Sequence, residues 1–243
     1  MIAAPDAPAT STAASPVTAA PPVCVIPAFN AESTVATVVA AVRRHLPPVF
    51  VLGVDDGSTD ATRAVLRHCC DHVIAFDVNR GKGAALRAAF AYAAEHLPNR
   101  PVVTVDADGQ HDPAFAPRLL DALDCADMVI GSRAIGCPSV PPHRRLANML
   151  STAATCAVTR LRLTDSQSGF RALRAEVVAG VEARGDRYEF ETDFIVRASH
   201  RGLRIAEVAV PTIYGPPSHF RELQDSWRVA RVLWSHRAAA FRS

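Results

Sequence analysis

Residues 23–60 read VCVIPAFNAESTVATVVAAVRRHLPPVFVLGVDDGSTD, and this stretch decides the fold class. Val23–Ile26 is a short apolar run closed by Pro27, the pattern of a strand buried on both faces. Glu32–Leu46 places Val35, Val38, Val39, Val42 and Leu46 at helical spacing, so one face is apolar. Pro47-Pro48 ends that helix, and Val49–Val54 is a second buried run. Ser58 or Thr59 is positioned to cap a helix running to about Cys70, with Ala61, Val65 and Cys69 inward. The alternation continues with a strand at Val73–Phe76 and an Ala-rich helix over Gly83–Leu97, its Leu86, Ala89, Phe90 and Ala93 inward. Further strands are predicted at Val102–Val105 and Met128–Ile130, with a helix at Pro113–Leu123 between them. Strands without polar alternation, separated by amphipathic helices, predict an α/β fold: a doubly wound, mostly parallel sheet with helices on both faces.

In such a sheet ligands bind beyond the carboxyl ends of the strands. There the sequence places Pro27–Glu32, then Asp55-Asp56-Gly57-Ser58-Thr59-Asp60, then Asn79-Arg80-Gly81-Lys82-Gly83. Asp106-Ala107-Asp108-Gly109-Gln110-His111 and Gly131-Ser132-Arg133 follow. Asp and Gly are common in turns, which accounts for one or two such loops but poorly for five on one edge. Asp106 and Asp108 can jointly hold a hard divalent cation and ligand hydroxyls, with the Gln110 amide oxygen as a neutral third donor. Without a cation the two carboxylates repel, and one tends to hold a proton.

Composition narrows the class further. The chain has 243 residues, a net charge of +2 and 49% hydrophobic residues, enough for one large domain and not a disordered chain. That charge gives no field demanding a nucleic acid partner, and no apolar run approaches the length of a membrane span. Gly81-Lys82-Gly83 lacks the Ser or Thr of a phosphate-binding P-loop, and no G-x-G-x-x-G follows the first strand. There is no G-x-S-x-G nucleophile elbow. The nine histidines show no zinc-ligand spacing. The six cysteines form no C-x-x-C pair and read as reduced, buried residues of a cytoplasmic protein.

The ordered set PAFNAE, DDGSTD, NRGKGAA, DADGQH, GSR, DSQSGFR and FETD resembles glycosyltransferase family 2. Within it the likeness is to the dolichol-phosphate mannosyltransferases and other polyprenyl-phosphate glycosyltransferases. It runs from about Val23 to about Arg228, and its specificity lies in seven short motifs kept in order. The resemblance implies the GT-A fold, a nucleotide-binding half followed by a mixed acceptor half. It implies an inverting transfer of a hexosyl group from a GDP- or UDP-sugar, dependent on Mg²⁺ or Mn²⁺, to polyprenyl phosphate or a related membrane acceptor. Pro27, Phe29 and Glu32 would line the base and ribose pocket, and Asp56, with Asp55 beside it, would hold the nucleoside. Lys82 would lie near the nucleotide-sugar, Asp106 would face the sugar and ribose, and Asp108 and Gln110 would hold the metal. Arg133, Arg145 and Arg221 would face phosphates or sugar, and Asp165 would lie near the reaction. The sequence departs from the family pattern at Ala31, where a Glu is usual, and at Gly109, where many members have Leu.

Alternatives remain at this level. A soluble or lipid hydroxyl acceptor would need a general base, with Asp165, Glu191 and Asp193 as candidates. A nucleotidyltransferase would want a Gly/Arg-rich loop after the first strand, and a non-catalytic nucleotide-sugar-binding protein would be expected to have lost the metal pair.

The domain organisation expected is a disordered tail over 1–22, a catalytic domain over 23–228 and a basic amphipathic helix over 229–243. Cys137–Pro142 reads as a loop over the site. A helix opens at Arg144-Arg145 and runs to about Leu161, with Leu146, Met149, Leu150 and Ala153 as its apolar stripe. Gly169 reads as a corner requiring positive φ, and Arg204–Pro211 as a strand returning to the sheet. Leu223, Trp227, Ala230 and Trp234 share a helical face in a strongly basic segment. That helix either packs on the sheet or lies at an anionic bilayer in place of the family's membrane spans, which would put the protein peripherally on the inner face of the membrane.

Overall fold

A computed structural model describes residues 20–133, 142–187 and 189–211, without the side chains of 142–145. Arg221 and the tail helix therefore lie outside the described residues, as do the loop before Pro142 and nearly all of the N-terminal tail. Arg145 is described only as a position in the first turn of a helix.

The elements alternate as the sequence predicts. In order they are β1 (Val23–Ala28), α1 (Val35–His45), β2 (Phe50–Asp55), α2 (Thr62–Cys69), β3 (His72–Ala75), α3 (Lys82–His96) and β4 (Val102–Thr104). Then come α4 (Ala116–Asp121), flanked by two 3₁₀ turns, β5 (Met128–Arg133) and α5 (Pro142–Thr159). β6 (Arg171–Leu173), α6 (Ala175–Gly180), α7 (Glu189–His200) and β7 (Ile205–Val210) complete the described chain. The strands form one sheet in the order β3-β2-β1-β4-β6-β5-β7.

Successive residues of a strand point to opposite faces, and both faces are covered. Cys24, Ile26 and Val51 meet Val35, Val38, Val39 and Val42 of α1, with Leu119 and Leu123 from the α4 region. Val23, Val25 and Leu52 meet Leu86, Ala89 and Phe90 of α3 and Phe194 of α7 on the other side. Each large aliphatic or aromatic side chain so buried contributes about 1.5–3 kcal/mol.

Two local expectations are corrected. The helix α2 has Ala61 at its N-cap and no side-chain cap from Ser58 or Thr59, and both of those residues are engaged by Asn30 instead. The second correction is β6, where the sequence reading predicts no strand. It runs antiparallel to both β4 and β5, so those two strands are not neighbours. Its reversal delivers the preceding loop, residues 165–170, to the carboxyl edge of the parallel strands. Register confirms the delivery: Arg171 pairs with Thr104 on one side and with Ile130 on the other.

Candidate active site

The first two edge loops are clasped together. Asn30, at φ 48°, donates its N–H to Ser58 Oγ (3.0 Å), and its side-chain oxygen accepts the Thr59 N–H (2.9 Å). The Ala31 N–H donates to Thr62 Oγ1 at 2.7 Å. Glu32 uses Oε2 to accept the Ala61 N–H at 2.8 Å, so it closes the start of α2, where an acceptor is most useful. Pro27 is buried within β1, and Phe29 is half-buried just beyond it.

The two acids after β2 face different ways. Asp55 is fully buried; its carboxylate accepts from Arg63 Nε (2.7 Å) and from the Ser58 N–H (3.1 Å). Asp56 accepts the N–H groups of Arg80 (2.7 Å) and Gly81 (2.9 Å), tying this loop to the one that starts α3. Burial pushes the Asp56 carboxyl up from its ordinary value, and those two backbone bonds oppose the shift.

Lys82 opens α3 and turns its ammonium onto two carboxylates, 2.6 Å from Asp106 Oδ1 and 3.0 Å from Glu191 Oε1. Burial alone would raise the Asp106 carboxyl, but Lys82 beside it holds it below the usual range. Asp108 goes the other way, raised first by burial and then by the charge of Asp106. Its Oδ1 accepts the Gln110 N–H at 2.9 Å. His111 is buried, stacked on Phe170 and 3.9 Å from Asp106 Oδ2. Burial lowers its pKa to about 4, so the ring is neutral at physiological pH.

The donor chemistry fits a divalent cation shared with a ligand. Among the described residues no group of three or more His, Cys, Asp or Glu forms a metal cage. Two carboxylates and one amide at a strand end instead match the mode in which Mg²⁺ or Mn²⁺ takes a few protein oxygens and completes its shell with phosphate and water. The desolvated, mutually repelling pair Asp106 and Asp108 supplies the charge such an ion would neutralise.

The loop delivered by β6 completes the edge. Asp165 holds Arg133 in a fork, with Nε to Oδ2 at 2.6 Å and Nη2 to Oδ1 at 3.0 Å. Burial alone would raise the Asp165 carboxyl, yet Arg133 keeps it below the ordinary range. Asp193, buried in α7, accepts from the Arg184 N–H (2.5 Å) and Arg197 Nε (2.6 Å). Gly169 is a glycine for room rather than for φ: a Cβ there would stand 2.5 Å from Lys82 Nζ and 2.7 Å from Asp106 Oδ2. Its carbonyl accepts from Thr104 Oγ1 at 2.6 Å.

Arg171, absent from the residues singled out by sequence, is fully engaged beneath the loop. Its guanidinium donates to the carbonyls of Ser168 (2.8 Å), Ser166 (3.0 Å) and Glu191 (3.1 Å). The FETD motif points to Glu191; Arg171 closes the DSQSGFR motif but is given no role by the sequence.

Of the residues expected at the site, the structure gathers Lys82, Asp106, Asp108, Gln110, Arg133 and Asp165 on one edge. Asp55, which is buried, and Glu32, which is exposed, instead make bonds that shape the loops. A parallel sheet interrupted by one antiparallel strand, with a carboxylate pair at its carboxyl edge, defines a GT-A glycosyltransferase. The chain belongs to glycosyl transferase family 2, whose pattern matches residues 23–181.

Among its relatives is an undecaprenyl-phosphate mannosyltransferase of Micrococcus luteus, 34% identical over 199 residues that cover 76% of this chain and 81% of that one. Another is a polyprenol monophosphomannose synthase of Mycolicibacterium smegmatis, 34% identical over 202 residues, covering 76% of this chain and 75% of that one. The fold matches glucosyl-3-phosphoglycerate synthase of Mycobacterium tuberculosis, solved with Mn²⁺, UDP and glucosyl-3-phosphoglycerate. That match has a TM-score of 0.73 at 23% identity and covers 90% of this chain and 81% of that one.

Proposed function

We propose that this glycosyltransferase moves a hexosyl group from a GDP- or UDP-sugar to polyprenyl phosphate, or to a related membrane-associated acceptor, with inversion at the anomeric carbon. The observation that carries the reading is the Lys82–Asp106–Asp108 cluster at the carboxyl edge. The acceptor class is supported by the lipid-phosphate names of the M. luteus and M. smegmatis relatives.

In this reading Pro27, Phe29, Glu32, Asp55 and Asp56 shape the nucleoside side of the site. Asp106 faces the donor sugar and ribose, and Asp108 with Gln110 would hold Mg²⁺ or Mn²⁺. A divalent cation there offsets the charge that builds on the departing diphosphate. Lys82 lies beside Asp106 and adds a cation at the same edge. Arg133, held in orientation by Asp165, presents a planar fork suited to phosphate oxygens, and Arg145 and Arg221 are assigned to the same task. The acceptor phosphate oxygen bonds to the anomeric carbon while the bond from that carbon to the diphosphate breaks, and the nucleoside diphosphate leaves. A phosphate oxygen ionised at neutral pH carries no proton to remove, so no general base is required. Asp165 is poorly suited to be one, since both its oxygens already accept and Arg133 depresses its proton affinity.

Among the described residues no helix is long and apolar enough to cross a membrane. We place the protein on the cytoplasmic side, meeting its lipid at the inner membrane surface, with the basic segment 229–243, outside the described residues, as a proposed contact. The test is product analysis with labelled UDP- and GDP-sugars, Mn²⁺ and a phosphorylated polyprenol. A labelled lipid product with release of nucleoside diphosphate is expected. Transfer only to a soluble or hydroxyl acceptor would overturn the lipid-phosphate assignment, and pyrophosphate release would overturn glycosyl transfer itself.

A further inference from the structure

Residues 160–170 run outside helix and strand, so no ladder fixes the loop that carries Asp165. Its backbone groups are met chiefly by side chains. Thr152 Oγ1 accepts the Ser166 N–H at 3.1 Å, and the Arg171 guanidinium donates to the carbonyls of Ser166 and Ser168. The two N–H groups before that turn converge on Glu207, in the middle of β7. Glu207 Oε1 accepts the N–H of Thr164 and that of Asp165, each at 2.9 Å. Its Oε2 accepts the Thr164 N–H at 2.8 Å and the Thr164 hydroxyl at 3.0 Å. Thr164 Oγ1 lies in turn 2.5 Å from the hydroxyl of Ser132, the neighbour of Arg133.

This clamp reaches the site in two steps. β7 ends the described sheet and pairs with β5, Glu207 standing opposite Ile130. A charge on an edge strand commonly keeps other strands away, with its head in water. Glu207 is instead half-buried and spends both oxygens on the loop. A carboxylate suits that task, because it brings no proton against converging donors and its charge strengthens each bond. The next link is Asp165, whose own carboxylate holds the Arg133 fork. Such a fork needs carboxylate and guanidinium in one plane, and a rotation of the 164–165 peptide would turn the carboxylate out of it. A group that acts on a substrate has to be held to within about 0.5 Å and 10–20°.

We propose that Glu207 is a positioning residue: by holding the backbone of Thr164 and Asp165 it fixes the Asp165 carboxylate, and through it the direction in which Arg133 presents its guanidinium. The inference deepens the proposed transfer and rests on it for the phosphates that Arg133 meets. Arg204 supplies the contrast. Just before β7, its N–H and Nη2 donate to Asp127 at 2.8 and 2.9 Å, so it fastens the same strand at the end away from the site.

The experiment compares Glu207→Gln, which keeps the size but sets an amide NH₂ against a backbone N–H, with Glu207→Ala and Arg204→Gln. The first readout needs no substrate: proton–nitrogen spectra of the arginine Nε–H groups in the full chain, the Arg133 signal being identified by its loss in Arg133→Lys. Both Glu207 variants should shift or broaden that signal, and Arg204→Gln should leave it in place. The second readout is transfer from a labelled donor, with Mn²⁺, to phosphorylated polyprenol. There kcat should fall about tenfold in Glu207→Gln and further in Glu207→Ala, while the affinities for UDP–Mn²⁺ and GDP–Mn²⁺ stay within about twofold. In an Arg133→Lys background, Glu207→Gln should cost no more than about twofold, because a residue acting through another adds little once that other is changed. Glu207→Gln keeps the side-chain volume and carries the test should Glu207→Ala fail to fold. An unmoved Arg133 signal in Glu207→Gln, an equal loss of rate in Arg204→Gln, or losses that simply multiply in the double variant would each overturn the proposal. If the signal moves as expected while no lipid product forms, the acceptor reading falls and the positioning role stands.

Discussion

Asp106 and Asp108 stand two residues apart in chemically similar loop positions, yet their proton affinities diverge. The cause is Lys82, which sits 2.6 Å from Asp106 and so leaves the cost of crowding two charges to Asp108. A carboxyl raised by folding costs stability above its folded pKa, and that cost disappears when the charge is removed. Asp108→Asn should therefore keep or slightly raise the melting temperature at neutral pH without metal. Mn²⁺-dependent transfer should fall by about a hundredfold or more, because a metal-binding carboxylate is gone. Calorimetry beside an activity assay reads both. A large drop in melting temperature would mean that Asp108 is structural. Sequence showed this pair and its spacing, but not which member carries the strain, because Lys82 reaches Asp106 across 24 residues of chain.

At the scale of elements, two glycines separate folding from function. Gly81 precedes α3 at φ 98°, and a Cβ there would fall on the Asp186 carbonyl. Backbone cannot step aside, so Gly81→Ala should cost about 2 kcal/mol or more of stability. Gly169→Ala would instead press on the flexible end of Lys82 and on the Asp106 carboxylate. It should fold with a modest loss of stability but disrupt the ion pair and lose most of its activity. Denaturant melts and initial rates of the two variants check the contrast; equal destabilisation would show that Gly169 serves the backbone. The same scale explains the misread elements. A three-residue strand such as β6 is too short to carry a period, and a helical stripe such as that of α5 marks a face without saying whether it turns inward.

For the whole molecule, acid stability offers a separate check. His111 is buried neutral between Phe170 and Asp106, with its pKa lowered from 6.5 to about 4 by burial. Between those values the unfolded chain takes up a proton that the folded chain refuses. Stability is therefore full above pH 6.5 and declines as pH falls toward 4, by up to about 3 kcal/mol. The depressed carboxyls Asp106 and Asp165 act in a different window, since their contribution is present above their unfolded pKa of 3.8 and is lost only below it. His111→Phe preserves the stack on Phe170 and should flatten the melting temperature between pH 6.5 and 4 while leaving the steeper acid limb. An unchanged slope in the variant would assign the titration elsewhere.

The sequence by itself determined the alternation of buried strands and amphipathic helices, the edge on which the polar loops gather, and the carboxylate pair with its family. These depend on patterns within a few residues, which hydrophobic burial and strand-end geometry convert directly into structure. Only the tertiary structure decided that β6 reverses between β4 and β5, that Asp165 meets Arg133, that Glu191 shares Lys82 with Asp106, and that α5 turns its leucines outward. The first three join residues about 30–110 positions apart. Their meeting is set by the order of strands in the sheet, which depends on the packing of the whole core rather than on local periodicity.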